Sequence, residues 1–287
     1  MNTQPVLGVI GGSGLYDFPY LEEKKELKIS TPFGDPSSPI IVGSIKGKKV
    51  AFLARHGIGH VFMPGEVNYR ANIYALKSLG INRVVSVSAC GSLREELAPG
   101  QIVIPDQIVD LTHERARTFF GEGAVVHISV ADPFCNKFAA KAFGSVEKTG
   151  AKVTRGGTYL TIEGPRFSTK GESNLYRQWG MSIIGMTASP EIFLAKEAEM
   201  CYATIAHVTD YDVWHTSEEP VTVEMVIKTL RENTEIAQQS ILNLVEEIDT
   251  SEPCPCHTSL QDAIMTSRDL IPENTIKKID LLVNKYI

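Results

Sequence analysis

Short apolar runs punctuate the chain, and most of them stop at glycine or at a polar cluster. Val6–Ile10 ends at Gly11, Gly12 and Gly14, Val50–Ala54 ends at Arg55 and His56, and Arg83–Ser88 ends at Ala89, Cys90 and Gly91. Ile102–Val109, Tyr159–Glu163, Ser182–Met186 and Tyr202–Val208 follow the same scheme. Runs this short, bounded by turn residues, read as buried strands. Between them lie stretches of helical period. Pro64–Leu79 opens on Pro, places Val67, Ala71, Tyr74 and Ala75 on one face, and stops before Gly80. Glu191–Met200 is a second helix, and Val221–Glu247 a third, marked by Val223, Val226, Ile227, Leu230, Ile241 and Leu244. Strand, polar loop and helix in repeated order predict an α/β fold, a central sheet with helices on both sides.

No linker rich in Pro, Gly or Ser divides the chain. The best boundary, Thr250–Thr258, separates a core domain at 1–250 from a C-terminal helical extension of the same domain at 251–287. A length of 287 residues fits that organisation. The net charge of −6, from 28 basic and 34 acidic residues, supplies no broad basic field, so a nucleic-acid surface is not expected. No apolar stretch approaches membrane-spanning length, and the N-terminus lacks the pattern of a secretory signal, so a cytoplasmic protein is expected. The five cysteines, Cys90, Cys135, Cys201, Cys254 and Cys256, do not form a disulfide framework for a chain this large.

Candidate chemistry gathers at the strand ends. The run ATIAHVTDYDVW at 203–214 closes on Asp210 and Asp212, whose spacing puts both acids on one side of a continuing strand. Gly11-Gly12-Ser13-Gly14 offers backbone N–H groups and a hydroxyl for an oxyanion, or is a tight strand-to-helix turn. It is not a dinucleotide fingerprint, because Asp17 stands where the third glycine belongs. It is not a triphosphate loop, for lack of its lysine, nor a hydrolase elbow, because Leu15 breaks it. Arg55 can fork two oxygens of a phosphate with His56 adding a donor, or pair with a nearby acid. Ser88 and Ala89 let a ligand approach backbone. Cys90 reads as a buried structural thiol, because no base stands beside it. Phe167 can stack on an aromatic ring or pack in a core, and Met186 can lie against a sugar face or fill the core. Strand ends of one sheet lie close in space, so these groups converge on one site.

Eight segments resemble the trimeric purine nucleoside phosphorylase family, in the family's order and over nearly all of positions 6–248. They are GVIGGSGLYD (8–17), TPFGDPS (31–37), LARHGIGH (53–60), MPGEVNYRANIYALK (63–77), SACGSLREELAPG (88–100), DQIVDLT (106–112), TIEGPRFST (161–169) and GMTASPEIFLAKEAEMCYATIAHVTDYDVWH (185–215). The resemblance implies a mixed, twisted sheet in a single domain and cleavage of a purine nucleoside by phosphate. It implies no metal and no organic cofactor, phosphate being a co-substrate, and a homotrimer or a hexamer made of two trimers. It places the phosphate site on Ser13, Arg55, His56, Ser88, Ala89 and Thr187, with serine at 13 and 88 where many relatives have threonine. It places Met186 at the ribose, and Phe167, Ser168, Asp210 and Asp212 at the purine. His60, Val223, Val226 and Ile227 fall around the 5′-substituent, and His127 at a position lent across the subunit interface. Gly185 stands where some members have asparagine. Within the resemblance, Asp210 is the expected acid at purine N7, and an Asp there favours a 6-amino over a 6-oxo purine. The apolar Val223-Val226-Ile227 face suits a thiomethyl over a hydroxyl, at roughly 1 kcal/mol per methyl-sized group. Methylthioadenosine is therefore the expected substrate. Adenosine, inosine or a deaminated thio-nucleoside would mark a broader enzyme, and binding without cleavage a sensor.

The tail holds Cys254-Pro255-Cys256-His257. Free thiols are the expected state, ahead of a disulfide closing a small strained ring and of zinc, for which no further ligand is spaced nearby.

Overall fold

The computed structural model describes residues 4–12, 15, 18–215, 224 and 234–287. In chain order the elements are β1 (Leu7–Gly11), β2 (Glu22–Leu27), β3 (Ile40–Ile45), β4 (Lys48–Ala54), α1 (Tyr69–Ser78), β5 (Arg83–Ser92), β6 (Ile102–Ile104) and β7 (Gln107–Leu111). They continue with α2 (Asn136–Glu147), β8 (Val153–Arg155), β9 (Thr158–Ile162), α3 (Lys170–Gln178), β10 (Ile183–Gly185), α4 (Ala188–Glu197), β11 (Cys201–Asp210), α5 (Thr234–Glu247) and α6 (Glu273–Val283). The strands form one mixed sheet in the order β2-β3-β4-β1-β5-β10-β9-β7, with β11 on the other side of β5, then β6 and β8.

Side-chain alternation explains why both faces of the sheet are covered. On β1, Leu7 and Val9 face one core cluster and Ile10 the other; on β5, Val85 and Val87 face the first and Val84 the second. The first cluster is closed by Phe138, Ala142 and Val146 of α2 and by Ala237, Ile241 and Leu244 of α5. The second is closed by Ile73 and Leu76 of α1, Ile192 and Ala195 of α4, and Ile279 and Leu282 of α6. Strands apolar on both faces suit the parallel centre formed by β4, β1, β5 and β11. The tail therefore joins the main core through α6.

Several boundaries differ from those predicted. The helix expected over Pro64–Leu79 begins at Tyr69, because the Asn68 side chain caps it by accepting from Ala71 N–H, while Glu66 closes a turn with Met63. The strand expected over Ile102–Val109 splits at Pro105, and its halves find different neighbours: β6 pairs with β11 and β8, and β7 with β9. Of the helix expected over Val221–Glu247, Thr234–Glu247 is helical; Val223, Val226, Ile227 and Leu230 lie outside the described residues. Strand β2 (EEKKEL) is exposed from Glu22 to Glu26, only Leu27 being half-buried, and gave no apolar signal.

Candidate active site

The site begins with a fork in β5. Its first half pairs with β1, from Gly8↔Val84 to Ile10↔Ser86. Its last two residues pair on with β10, at Gly91↔Ile184 and Ser92↔Ile183. Residues 87–90 fall between the two, beyond the end of one neighbour and before the next. On the other edge β11 runs continuously, with His207↔Ala89 and Val208↔Cys90, then a bulge, then Asp210↔Gly91. Ser88 and Ala89, the end of β1, the end of β10 and Asp210 are thereby brought to one cleft. Gly91 makes the approach possible: a Cβ there would lie 2.9 Å from Asp210 Oδ1 and 3.1 Å from Ile184.

On one side of the cleft the charges are already matched. Arg55, at the end of β4, is 1% exposed. Its Nε donates to Glu191 Oε2 at 2.8 Å, its two NH2 hydrogens go to Glu191 Oε1 (2.9 Å) and Ser86 Oγ (2.6 Å), and NH1 reaches the Val87 carbonyl at 3.3 Å. Tyr202 O–H also donates to Glu191, at 2.7 Å. Burial opposes the guanidinium charge, but Glu191 more than offsets it and raises the Arg55 pKa. A guanidinium has five donors, so this network leaves one NH1 hydrogen for a ligand rather than the expected fork. His56 Nδ1 lies 2.9 Å from the Phe62 carbonyl. Burial first, then the Arg55 charge, lowers its pKa to about 4, so the ring is neutral, with Nδ1–H donating and the Nε2 lone pair free. Thr187 starts α4 without using its hydroxyl as a cap. Among the described residues Ser88 Oγ is buried without a well-formed hydrogen bond. Ser13 lies outside the described residues.

On the other side polar atoms are left over. Asp210 Oδ1 accepts from Asp212 N–H at 2.7 Å, and Oδ2 lies 2.6 Å from Thr209 Oγ1. That hydroxyl is also 3.2 Å from the Cys90 carbonyl. Asp212 has φ 51°, which Asp tolerates better than most residues. Among the described residues its Oδ2 is buried with no well-formed hydrogen bond, as are Ser168 Oγ and Ser173 Oγ. Burial raises the Asp212 pKa against the opposing pull of Ser173, the Val213 N–H and Ser168, so these groups stand close around one carboxylate. Phe167 is 39% exposed, leaving its ring open to a partner.

Sequence reasoning missed the frame that holds these parts. Arg115 is 7% exposed and donates to the carbonyls of Met186 (2.6 Å), Ser189 (2.7 Å) and Glu163 (2.7 Å), and to Glu163 Oε1 at 2.8 Å. It ties the loop after β9 to the loop after β10 and so fixes Met186, whose sulfur crowds Gly164. Gly185 is forced small, because a Cβ there would lie 2.0 Å from the Tyr159 hydroxyl. That hydroxyl is buried without a hydrogen bond and interacts electrostatically with Ser88. Glu191 was legible only as part of a helix. His60 stacks on His56, ring centroids 4.3 Å apart, from an exposed position. His127 is exposed and lies away from the cleft in sequence, its N–H bonded to the Ala263 carbonyl.

The phosphorylase superfamily model matches residues 6–246. A protein of Geobacter sulfurreducens named S-methyl-5′-thioadenosine phosphorylase is 50% identical over 285 residues, covering 99% of this chain and all of that one. A protein of the same name from Hyperthermus butylicus is 52% identical over 90% of this chain and 95% of its own. The crystal structure of a methylthioadenosine phosphorylase from an Antarctic soil metagenomic library superposes with a TM-score of 0.92 at 46% identity, over 97% of this chain and 99% of that one. A Schistosoma mansoni adenosine/methylthioadenosine phosphorylase variant in complex with methylthioadenosine superposes at 0.80 with 35% identity, over 85% and 91%.

Proposed function

This chain belongs to the phosphorylase superfamily, and on that premise we propose that it cleaves S-methyl-5′-thioadenosine with inorganic phosphate, yielding adenine and 5-methylthioribose 1-phosphate. The observation that carries the reading is the pairing of Asp210 with Gly91 across the forked strand. It sets an acid at the end of β11 beside Gly91, across β5 from the edge left open between β1 and β10. Two relatives of the same name, each about half identical over nearly the whole chain, support the substrate.

Phosphate is held by the Ser88 and Thr187 hydroxyls, the Ala89 backbone and the remaining hydrogen of Arg55, while the His56 Nε2 lone pair accepts from the protonated oxygen of hydrogen phosphate. Glu191 neutralises most of the guanidinium charge, so the oxyanion is gripped by dipoles and hydrogen bonds that position it below C1′. The ribose bond to N9 breaks as positive charge develops on the sugar, and the leaving adenine needs a proton at N7. Thr209 has one hydroxyl proton and two acceptors, Cys90 O and Asp210 Oδ2. A protonated Asp210 resolves this: its Oδ2–H donates to Thr209, which donates to Cys90. When the carboxyl gives its proton to N7, the Thr209 hydroxyl turns to Asp210 and stabilises the carboxylate formed. Asp212 Oδ2, with Ser168 and Ser173 beside it, accepts from the exocyclic amino group and so favours adenine over a 6-oxopurine. Phe167 stacks on the base and Met186 lies against the ribose. His60 and the segment carrying Val223, Val226 and Ile227 are assigned to the methylthio end.

Phosphorolysis of methylthioadenosine, adenosine and inosine under one set of conditions tests this reading. The highest kcat/KM is expected for methylthioadenosine; faster inosine turnover would sink it. The homotrimer belongs to the same proposal. Ile58, Val61, Phe62 and Met63 form an exposed apolar run beside His56 and His60, the kind of surface a neighbouring subunit covers. Light scattering should give the mass of a trimer or of its dimer; a fully active monomer would refute the assembly.

A further inference from the structure

The second cluster of reactive side chains lies at the opposite end of β11 and plays no part in the chemistry above. Cys201 opens β11 and Cys135 caps the start of α2. Cys254 and Cys256 come from the tail, where Pro255–Thr258 forms a 3-10 turn. The expectation that the tail pair has no further ligands nearby is thus corrected: residues 119 positions apart meet, with Cys135 Sγ 3.5 Å from Cys254 Sγ. All four sulfurs lie within 4.8 Å of one another, three on buried residues and one on a half-buried one. Cys90, the remaining cysteine, stands elsewhere in the core.

We propose that Cys135, Cys201, Cys254 and Cys256 bind a structural zinc ion. A tetrahedral zinc thiolate has Zn–S bonds of about 2.3 Å, which puts its sulfurs about 3.8 Å apart, and the four sulfurs here are gathered at that scale. Four thiolates in a closed tetrahedron select zinc or iron over harder cations, and no ligand position is left open for catalysis. Binding releases the thiol protons and leaves a centre of net charge near −2. The surroundings suit it. His257 Nε2 lies 3.5 Å from Cys201 Sγ, in reach as an N–H donor to a bound thiolate. The charges of Arg83 and Lys77 act on that same imidazole. Arg83 also holds the tail by donating to the carbonyls of Asp249 (2.9 Å) and Glu252 (3.3 Å). The ion would rivet the C-terminal tail to β11 and α2, adding to the Lys141–Glu252 ion pair (2.7 Å) and the bond from Lys137 to the Pro253 carbonyl (3.1 Å). This inference stands apart from the reaction assigned above.

The test is elemental analysis of the full-length chain purified without added metal or chelator. About one zinc per chain is expected, falling to near zero in Cys254→Ser and in Cys256→Ser, with Cys90→Ser as loaded as the parent. Should the serine variants fail to fold, cobalt(II) titration of chelator-stripped parent protein reads the same site. Saturation near one equivalent, with the thiolate charge-transfer and visible bands of tetrahedral cobalt, supports it. Metal well below stoichiometry, iron in place of zinc, or an intact mass short by the hydrogens of a disulfide each overturns it.

Discussion

The two walls of the cleft differ in how much they lack. On the phosphate wall Arg55 has all but one of its donors engaged before any ligand arrives, through Glu191, Ser86 and Val87, and Glu191 is held in turn by Tyr202. On the base wall, among the described residues, Ser168 and Ser173 stand around the Asp212 carboxylate with no cation beside it, and Asp212 Oδ2, Ser168 Oγ and Ser173 Oγ make no well-formed hydrogen bond. A buried polar group without a partner costs roughly 1–3 kcal/mol, so this cluster favours a ligand that supplies further bonds. Arg55 is pinned for rigidity, while Ser88 on its wall and the Asp212 cluster opposite keep capacity for recognition. A heterocycle with a donor amino group at its edge fits the Asp212 cluster.

The sharpest way to break this contrast is at its hinge. Asp210→Asn keeps the shape and the acceptor for the Asp212 N–H but removes the transferable proton. Turnover of methylthioadenosine is expected to fall about 10²–10⁴-fold with KM little changed, and near-parental kcat in steady-state assays would refute the acid role. Next comes the phosphate wall. Glu191→Gln leaves the Arg55 charge buried and uncompensated, so urea unfolding should show a loss of about 3–5 kcal/mol. A stable, inactive variant would mean instead that Glu191 acts on phosphate directly.

A third experiment separates an orphan awaiting ligand from one that is merely buried. His207 shares its face of β11 with Ala203 and Ile205, and neither ring nitrogen is hydrogen-bonded. Burial lowers its pKa to about 4, against about 6.5 unfolded. Between those values the unfolded chain takes up a proton that the native chain refuses, so stability falls as pH drops from 6.5 toward 4, by on the order of 3 kcal/mol. His56 adds to the same acid limb. Glu197 works the other way: burial raises it to about 7, so its contribution is complete below about 4.5 and is lost as pH rises to 7. His207→Leu should raise the urea midpoint over the parent at pH 5, with the gap narrowing at pH 8. The smallest effect belongs to the base wall. Ser168→Ala is expected to raise KM for methylthioadenosine up to about tenfold, roughly 1 kcal/mol, with little change in unfolding, because Ser173 and the Val213 N–H remain beside the Asp212 carboxylate.

Much of this was legible because each central strand is an apolar run that stops where chemistry starts. Gly11, Arg55, Ser88, Met186 and Asp210 all announced themselves that way. What stayed hidden depends on long-range partners. The pairing of Arg55 with Glu191 spans 136 positions, and nothing local distinguishes that glutamate from a solvated one. Arg115 sits in an irregular stretch with no period to mark it. The same holds for Cys135 and Cys201, which look like ordinary core thiols until the tail folds back on them. Strand β2 escaped because an exposed edge strand carries charges, not an apolar stripe.

The Tyr159 hydroxyl fills the space that a side chain at 185 would occupy, and this constrains descent as well as packing. A lineage that places a larger residue at 185 collides with the tyrosine, and one that trims the tyrosine first opens a void beside the phosphate wall. Neither single step is neutral, so the two positions are expected to have changed together or through a small intermediate at 159. Transplanting asparagine to 185 should fail alone and succeed only in company.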